Sequence, residues 1–198
     1  MRASELTEFS TTDKKIDRIL KDKGYKRLGA GVDQTAYLEP STGLVLKVFG
    51  TQGGESFSRD HKMFFAWAKY CIKNSTNPFL PKFSGYESFV LDGNRYLQIR
   101  QEALKPADYM GDTLSEIADS VEHNGIRNFK QLDKQLEGYF YYQKLKEQLG
   151  ADAMKMLFAT IRQVYLTGER NGWNFDLHSG NIMRRGKTPV IVDPWVVN

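Results

Sequence analysis

At 198 residues the chain is long enough for one domain or two small lobes, and it can bury about 70% of its unfolded surface without a covalent staple. Its single cysteine, Cys71, excludes an internal disulfide and a cysteine-rich zinc site, and fits a reducing cytoplasm. A net charge of +4 is compatible with an anionic ligand but too mild to argue for nucleic acid. No apolar run approaches the roughly 20 residues of a membrane span, and the first residues lack the basic-then-apolar pattern of a signal peptide, so no membrane partner is expected.

In chain order, Thr11 or Thr12 can cap a short helix with Ile16, Ile19 and Leu20 on one face, ending near Gly24. Strand-like runs follow at 25–29, 35–39 and 44–49, the last two separated by Pro40-Ser41-Thr42-Gly43. Residues 56–73 read as a helix, with Phe57, Phe64, Trp67 and Cys71 near a helical repeat. Phe83 to Val90 and Arg95 to Leu104 read as two strands turned at Asp92-Gly93-Asn94. Beyond Pro106 the pattern becomes helical. Leu114, Ile117, Ala118 and Val121 form one stripe, 130–149 is a second candidate, and Met154, Leu157, Phe158, Ile161 and Tyr165 form the clearest stripe, stopped near Gly172. A polar loop (174–181), a short strand (181–184), a turn at Arg185-Gly186-Lys187 and an apolar strand (189–192) complete the reading. Strands first and helices second predict an α+β chain of two lobes, 1–104 and 105–198.

Three segments carry chemistry. Gly29 and Gly31 in Leu28-Gly29-Ala30-Gly31 would let backbone amides approach a phosphate, although a plain hairpin turn explains them too. Lys47 is embedded in the apolar run Leu44-Val45-Leu46-Lys47-Val48-Phe49, where an ammonium is costly without an anionic partner. Alternation puts Val45, Lys47 and Phe49 on one face; the competing reading is a lysine snorkelling from an edge strand. Asp176 and Asn181, five apart, can bring a carboxylate and an amide oxygen into one pocket. Asp193, after the strand Val190-Ile191-Val192, then supplies a hard oxygen for Mg²⁺. A base, metal ligands and a phosphate-binding cation are the parts that phosphoryl transfer needs.

This order of glycine loop, strand lysine, helix acid, D-x-x-x-x-N and strand-terminal aspartate resembles the protein-kinase-like superfamily. Asp176-Leu177-His178 through Gly180-Asn181 is similar to aminoglycoside phosphotransferases. The span Phe175-Asp176 to Ile182-Met183, with Asp193-Pro194, resembles more closely the early serine/threonine protein kinases of short-tailed coliphages. The resemblance implies an antiparallel-sheet N-lobe and a minimal helical C-lobe. ATP and Mg²⁺ would be the cofactors, and host proteins in the bacterial cytoplasm the acceptors. It assigns Gly29 and Gly31 to the phosphates, Lys47 to the α- and β-phosphates, Asp176 to the catalytic base, and Asn181 and Asp193 to Mg²⁺. Leu28, Ala36 and Val45 would cover the adenine, and the backbone of Glu102-Ala103-Leu104 would pair with it. Asp60 would partner Lys47, with Glu55 as its rival. His178 stands where many such kinases carry a lysine near the γ-phosphate; a loop histidine bonded to nearby backbone is the alternative. Gln34 replaces the third loop glycine, Asn174 a histidine, and Pro194-Trp195 the usual Phe-Gly. With five residues after Asp193, an activation loop and an A-P-E segment are not seen, which implies a minimal kinase or one whose remainder was removed. Two other functions fit parts of the pattern: a small-molecule kinase of aminoglycoside type, and a catalytically silent module that binds and inhibits a host protein.

Overall fold

The computed structural model describes residues 11–30, 34–50 and 59–197. Gly31, Glu55 and Phe57 lie outside the described residues, as do the side chains of residues 11–13 and of Asp60. The fold is α+β. Two compact units divide it, Met1–His61 with Phe83–Ala103, and Lys62–Lys82 with Leu104–Asn198.

The first unit is an antiparallel sheet of five strands, β1 (Lys26–Ala30), β2 (Gln34–Glu39), β3 (Leu44–Gly50), β4 (Phe83–Leu91) and β5 (Asn94–Glu102), in the order β1-β2-β3-β5-β4. The β4–β5 hairpin closes on two residues, Asp92 (φ 50) and Gly93 (φ 78), with Leu91 paired to Asn94. Both dihedrals are left-handed, which suits the strand twist and explains the Asp-Gly dipeptide. The first helix, α1 (Thr11–Asp22), buries Ile16 and Leu20 against Tyr37, Leu46, Val48 and Tyr96. Each such burial contributes about 1.5–3 kcal/mol. Ile19 is 37% exposed, so the seam is the i, i+4 pair alone and narrower than the three-residue face expected from sequence. A hydrogen bond from the Tyr37 hydroxyl to the Asp17 carboxylate fixes the helix on the sheet.

In the second unit, α2 (Arg59–Lys73, of which residues 62–73 belong here) buries Met63, Phe64, Trp67, Ala68 and Cys71. The short strand β6 (Lys105–Pro106) precedes α3 (Tyr109–Glu122), α4 (Phe129–Gln135), α5 (Phe140–Leu149) and α6 (Ala151–Asn171). The stripes expected on α3 and α6 are buried as read, with Tyr165 only half-buried. The single helical candidate at 130–149 is in fact α4 and α5. Asn128 caps α4 by accepting from the Gln131 amide at 3.1 Å, Leu136 ends it, and exposed Gly138 lies in the break. A glycine there favours the break because it has the most backbone freedom to lose in a helix. The chain then forms β7 (Asn174–Phe175), a 3₁₀ turn (Ser179–Asn181), β8 (Ile182–Arg185), β9 (Thr188–Ile191) and β10 (Trp195–Val196). β8 lies between β6 and β9, and β7 pairs with β10. No described helix is long and apolar enough to cross a membrane.

Candidate active site

Lys47 lies on a central strand, with Ala36 of β2 as its neighbour on one side and Ile99 of β5 on the other. That position removes the edge-strand reading. Cross-strand partners share a face, so Ala36, Val45, Lys47, Phe49 and Ile99 line the side of the sheet opposite the α1 core. Lys47, Val45 and Ala36 are each half-buried there. The β1–β2 register slips between Arg27 and Gly29, so that Leu28 is the extra residue and Leu28 with Gly29 opposes Ala36. Leu28, at this bulge, is exposed. Among the described residues, a Cβ at Gly29 would meet no atom within 4 Å. Glu102 ends β5, paired with Leu44; Leu104 follows the strand and is half-buried. Asp60 belongs to the first turn of α2.

The second unit gathers Asp176, Asn181 and Asp193. Asn181 donates its side-chain amide to the Asp176 carbonyl at 2.7 Å and to the Asp176 Oδ2 at 3.2 Å. That fixes the carboxamide with its nitrogen towards Asp176 and its oxygen away from it. Among the described residues Asn181 Oδ1 and Asp176 Oδ1 accept no hydrogen bond. Two main-chain bonds then flank Asp193. Val192 N–H donates to the Asn181 carbonyl at 2.9 Å, and Asp176 N–H donates to the Pro194 carbonyl at 2.8 Å. The residue between those anchors is held beside both others. Asp176 keeps 41% of its side chain exposed.

His178 Nδ1 accepts the Gly180 N–H at 3.0 Å, which places the neutral imidazole's proton on Nε2. Nε2 stands 3.7 Å from Asp176 Oδ2, too long for a hydrogen bond, and the ring is largely exposed. The backbone bond is the one the loop-histidine reading expects, and it leaves Nε2–H available to a third group.

Sequence reasoning missed what braces this loop. Trp195, two residues after Asp193, donates to the Val164 carbonyl at 3.1 Å and meets Trp67 and Trp173 with ring centroids 5.2 and 5.0 Å apart. Trp67 in turn donates to the Val192 carbonyl at 2.9 Å. All three tryptophans of the chain thus flank the Asp193 segment. A Cβ on Gly168 of α6 would lie 2.8 Å from Trp195 Nε1, and one on Gly111 of α3 would lie 3.1 Å from Ser179 Cβ. These two glycines let the helices close on the loop. The available signal was a tryptophan next to Asp-Pro.

No protein-family model matches the chain, and no curated protein matches it significantly. Among the described residues no three His, Cys, Asp or Glu side chains gather as a self-sufficient metal cage. Mg²⁺ does not require one, since it commonly takes one or two protein oxygens and completes its shell with phosphates and water. The outward amide oxygen of Asn181, with Asp193 held between two main-chain bonds, is compatible with that need.

Proposed function

We propose that this chain is an ATP-dependent protein serine/threonine kinase of protein-kinase-like fold, with the five-stranded sheet in its N-lobe and α3–α6 in a minimal C-lobe. The observation that carries the reading is the Asp176–Asn181–Asp193 arrangement. Main-chain bonds tie Asp176 and Asn181 to the residues on either side of Asp193, and the outer oxygens of Asp176 and Asn181 accept no hydrogen bond among the described residues. Asp176 Oδ1 would accept the proton of a serine or threonine hydroxyl as its oxygen bonds to the γ-phosphorus. The bond from that phosphorus to the β–γ bridging oxygen breaks, and ADP leaves with the electron pair. Lys47 would neutralise charge on the α- and β-phosphates, and His178 Nε2–H would donate to a γ-phosphate oxygen. When bound, Mg²⁺ supplies charge neutralisation on the phosphates, and Asn181 Oδ1 and Asp193 would hold it. Leu28, Ala36 and Val45 offer apolar cover to the adenine, and the main chain of 102–104 its hydrogen bonds. The resemblance to coliphage kinases points to bacterial host proteins as acceptors.

The purified chain with radiolabelled ATP, Mg²⁺ and bacterial lysate tests this. Phosphoserine or phosphothreonine should form with the wild type and be lost in Lys47→Ala and Asp193→Asn. ATP turnover on an aminoglycoside without labelled protein would replace the protein kinase with a small-molecule kinase. Absence of any transfer would leave only a binding module.

A further inference from the structure

Four successive aromatic residues, Tyr139 to Tyr142, open α5, and only Tyr142 is buried. It anchors the helix together with Leu145, so the other three rings are not needed for the core. Phe140 is 73% exposed, Tyr141 44% and Tyr139 39%. These rings are ordered against one another. Tyr141 stacks on Tyr109 with centroids 5.6 Å apart, and Phe140 meets Tyr141 edge-on at 5.3 Å. The shelf is edged by Asp112 and Glu116, one turn apart on α3, and Tyr139 donates its hydroxyl to Glu116 at 3.3 Å. Among the described residues neither carboxylate has an ion-pair partner. The charge of Glu116, with a smaller contribution from Asp112, raises the Tyr139 phenol above its ordinary pKa. Lys144 already shows how a cation uses the surface, with its Nζ 4.1 Å from the centre of the Tyr109 ring.

Exposed aromatic faces beside unneutralised carboxylates favour one chemistry: guanidinium or ammonium groups, which gain from ring quadrupoles and from opposite charge together. An acidic peptide would be repelled at that edge. We propose that the shelf of Tyr139, Phe140 and Tyr141, backed by Tyr109 and edged by Asp112 and Glu116, docks an arginine- or lysine-bearing segment of the protein acceptor. This rests on the protein-kinase reading for the acceptor's role, but the binding itself does not require catalysis.

A fluorescein-labelled arginine-rich peptide containing serine, and its analogue with glutamate in place of arginine, serve as probes in anisotropy titrations. Wild type should bind the arginine peptide about tenfold or more tighter than the glutamate one, less so at high salt. The pairs Phe140→Ser/Tyr141→Ser and Asp112→Asn/Glu116→Gln should each lose about tenfold, while circular dichroism and the thermal midpoint show them folded. With the same peptide as acceptor, both pairs should raise KM and leave kcat unchanged. Equal affinity for the two peptides, or affinity untouched by either folded pair, overturns the dock. So does sedimentation showing self-association that Phe140→Ser/Tyr141→Ser abolishes. Tight peptide binding that the pairs weaken, with no phosphoryl transfer, would sink the kinase reading and leave the dock standing. Transfer with shelf-independent binding would do the reverse.

Discussion

Asn181 determines what the site can do, because its amide nitrogen is committed to Asp176 and its oxygen is consequently turned outward. If Asp176 is the base, Asp176→Asn removes the proton acceptor while keeping the volume. Phosphoryl transfer should fall about 10²–10⁴-fold, with ATP affinity in calorimetry nearly unchanged. Asn181→Ala frees the Asp176 carboxylate and deletes the outward oxygen, so it should lower both transfer and the Mg²⁺ dependence of ATP binding. Retained activity in Asp176→Asn would remove it from the role of base. These residues were legible in sequence because spacing and order alone bring them into one loop. Lys47 was legible because a charge amid apolar strand residues is conspicuous. The amide orientation and the flanking bonds to Asp193 were not, since they depend on tertiary hydrogen bonds that no local pattern encodes.

At the scale of elements, periodicity recovered α3 and α6 but merged α4 with α5, because apolar spacing continues across a break whose evidence is one glycine. The two helices are joined by Asp133, which accepts from Lys146 at 2.6 Å and from the buried Tyr142 hydroxyl at 3.0 Å. The Lys146 hydrogen bond, with that of Tyr142, holds the Asp133 carboxyl below its usual range. A depressed folded-state pKa gives stability that is present above the unfolded value, about 3.9, and lost as pH falls through the folded one. Wild type should therefore lose stability more steeply than Asp133→Asn on acidification below about pH 4, read by denaturant titration. Asp133→Ala leaves the Tyr142 hydroxyl without an acceptor and should cost about 1–3 kcal/mol at neutral pH. Gly168 makes a second test. A Cβ there meets Trp195, so Gly168→Ala should displace the indole, cost about 1–3 kcal/mol and change the tryptophan emission. An unaltered spectrum and stability would show that α6 does not brace the Asp193 segment.

On the scale of the whole molecule, the α+β character followed from strand-type runs giving way to helical stripes near 105, a change of period that needs no tertiary knowledge. The α2 segment is different: its buried face, Met63 to Cys71, clusters with residues beyond 104, a long-range association that sequence order hides. That grouping places Trp67, Trp173 and Trp195 in the second unit, so intrinsic fluorescence reports on the unit that carries Asn181 and Asp193. If these two residues hold Mg²⁺ against nucleotide phosphates, ATP with Mg²⁺ should shift the fluorescence-monitored melt upward, and ATP with EDTA should shift it much less. At a free ligand concentration one hundred times Kd the linkage is worth about 2.7 kcal/mol. For a chain of this size that corresponds to roughly 5–10 °C. Asp193→Asn, measured from its own unliganded midpoint, should lose most of the Mg²⁺-dependent shift. An equal shift in wild type and Asp193→Asn would place the metal elsewhere, because the two proteins differ only in the carboxylate assigned to it.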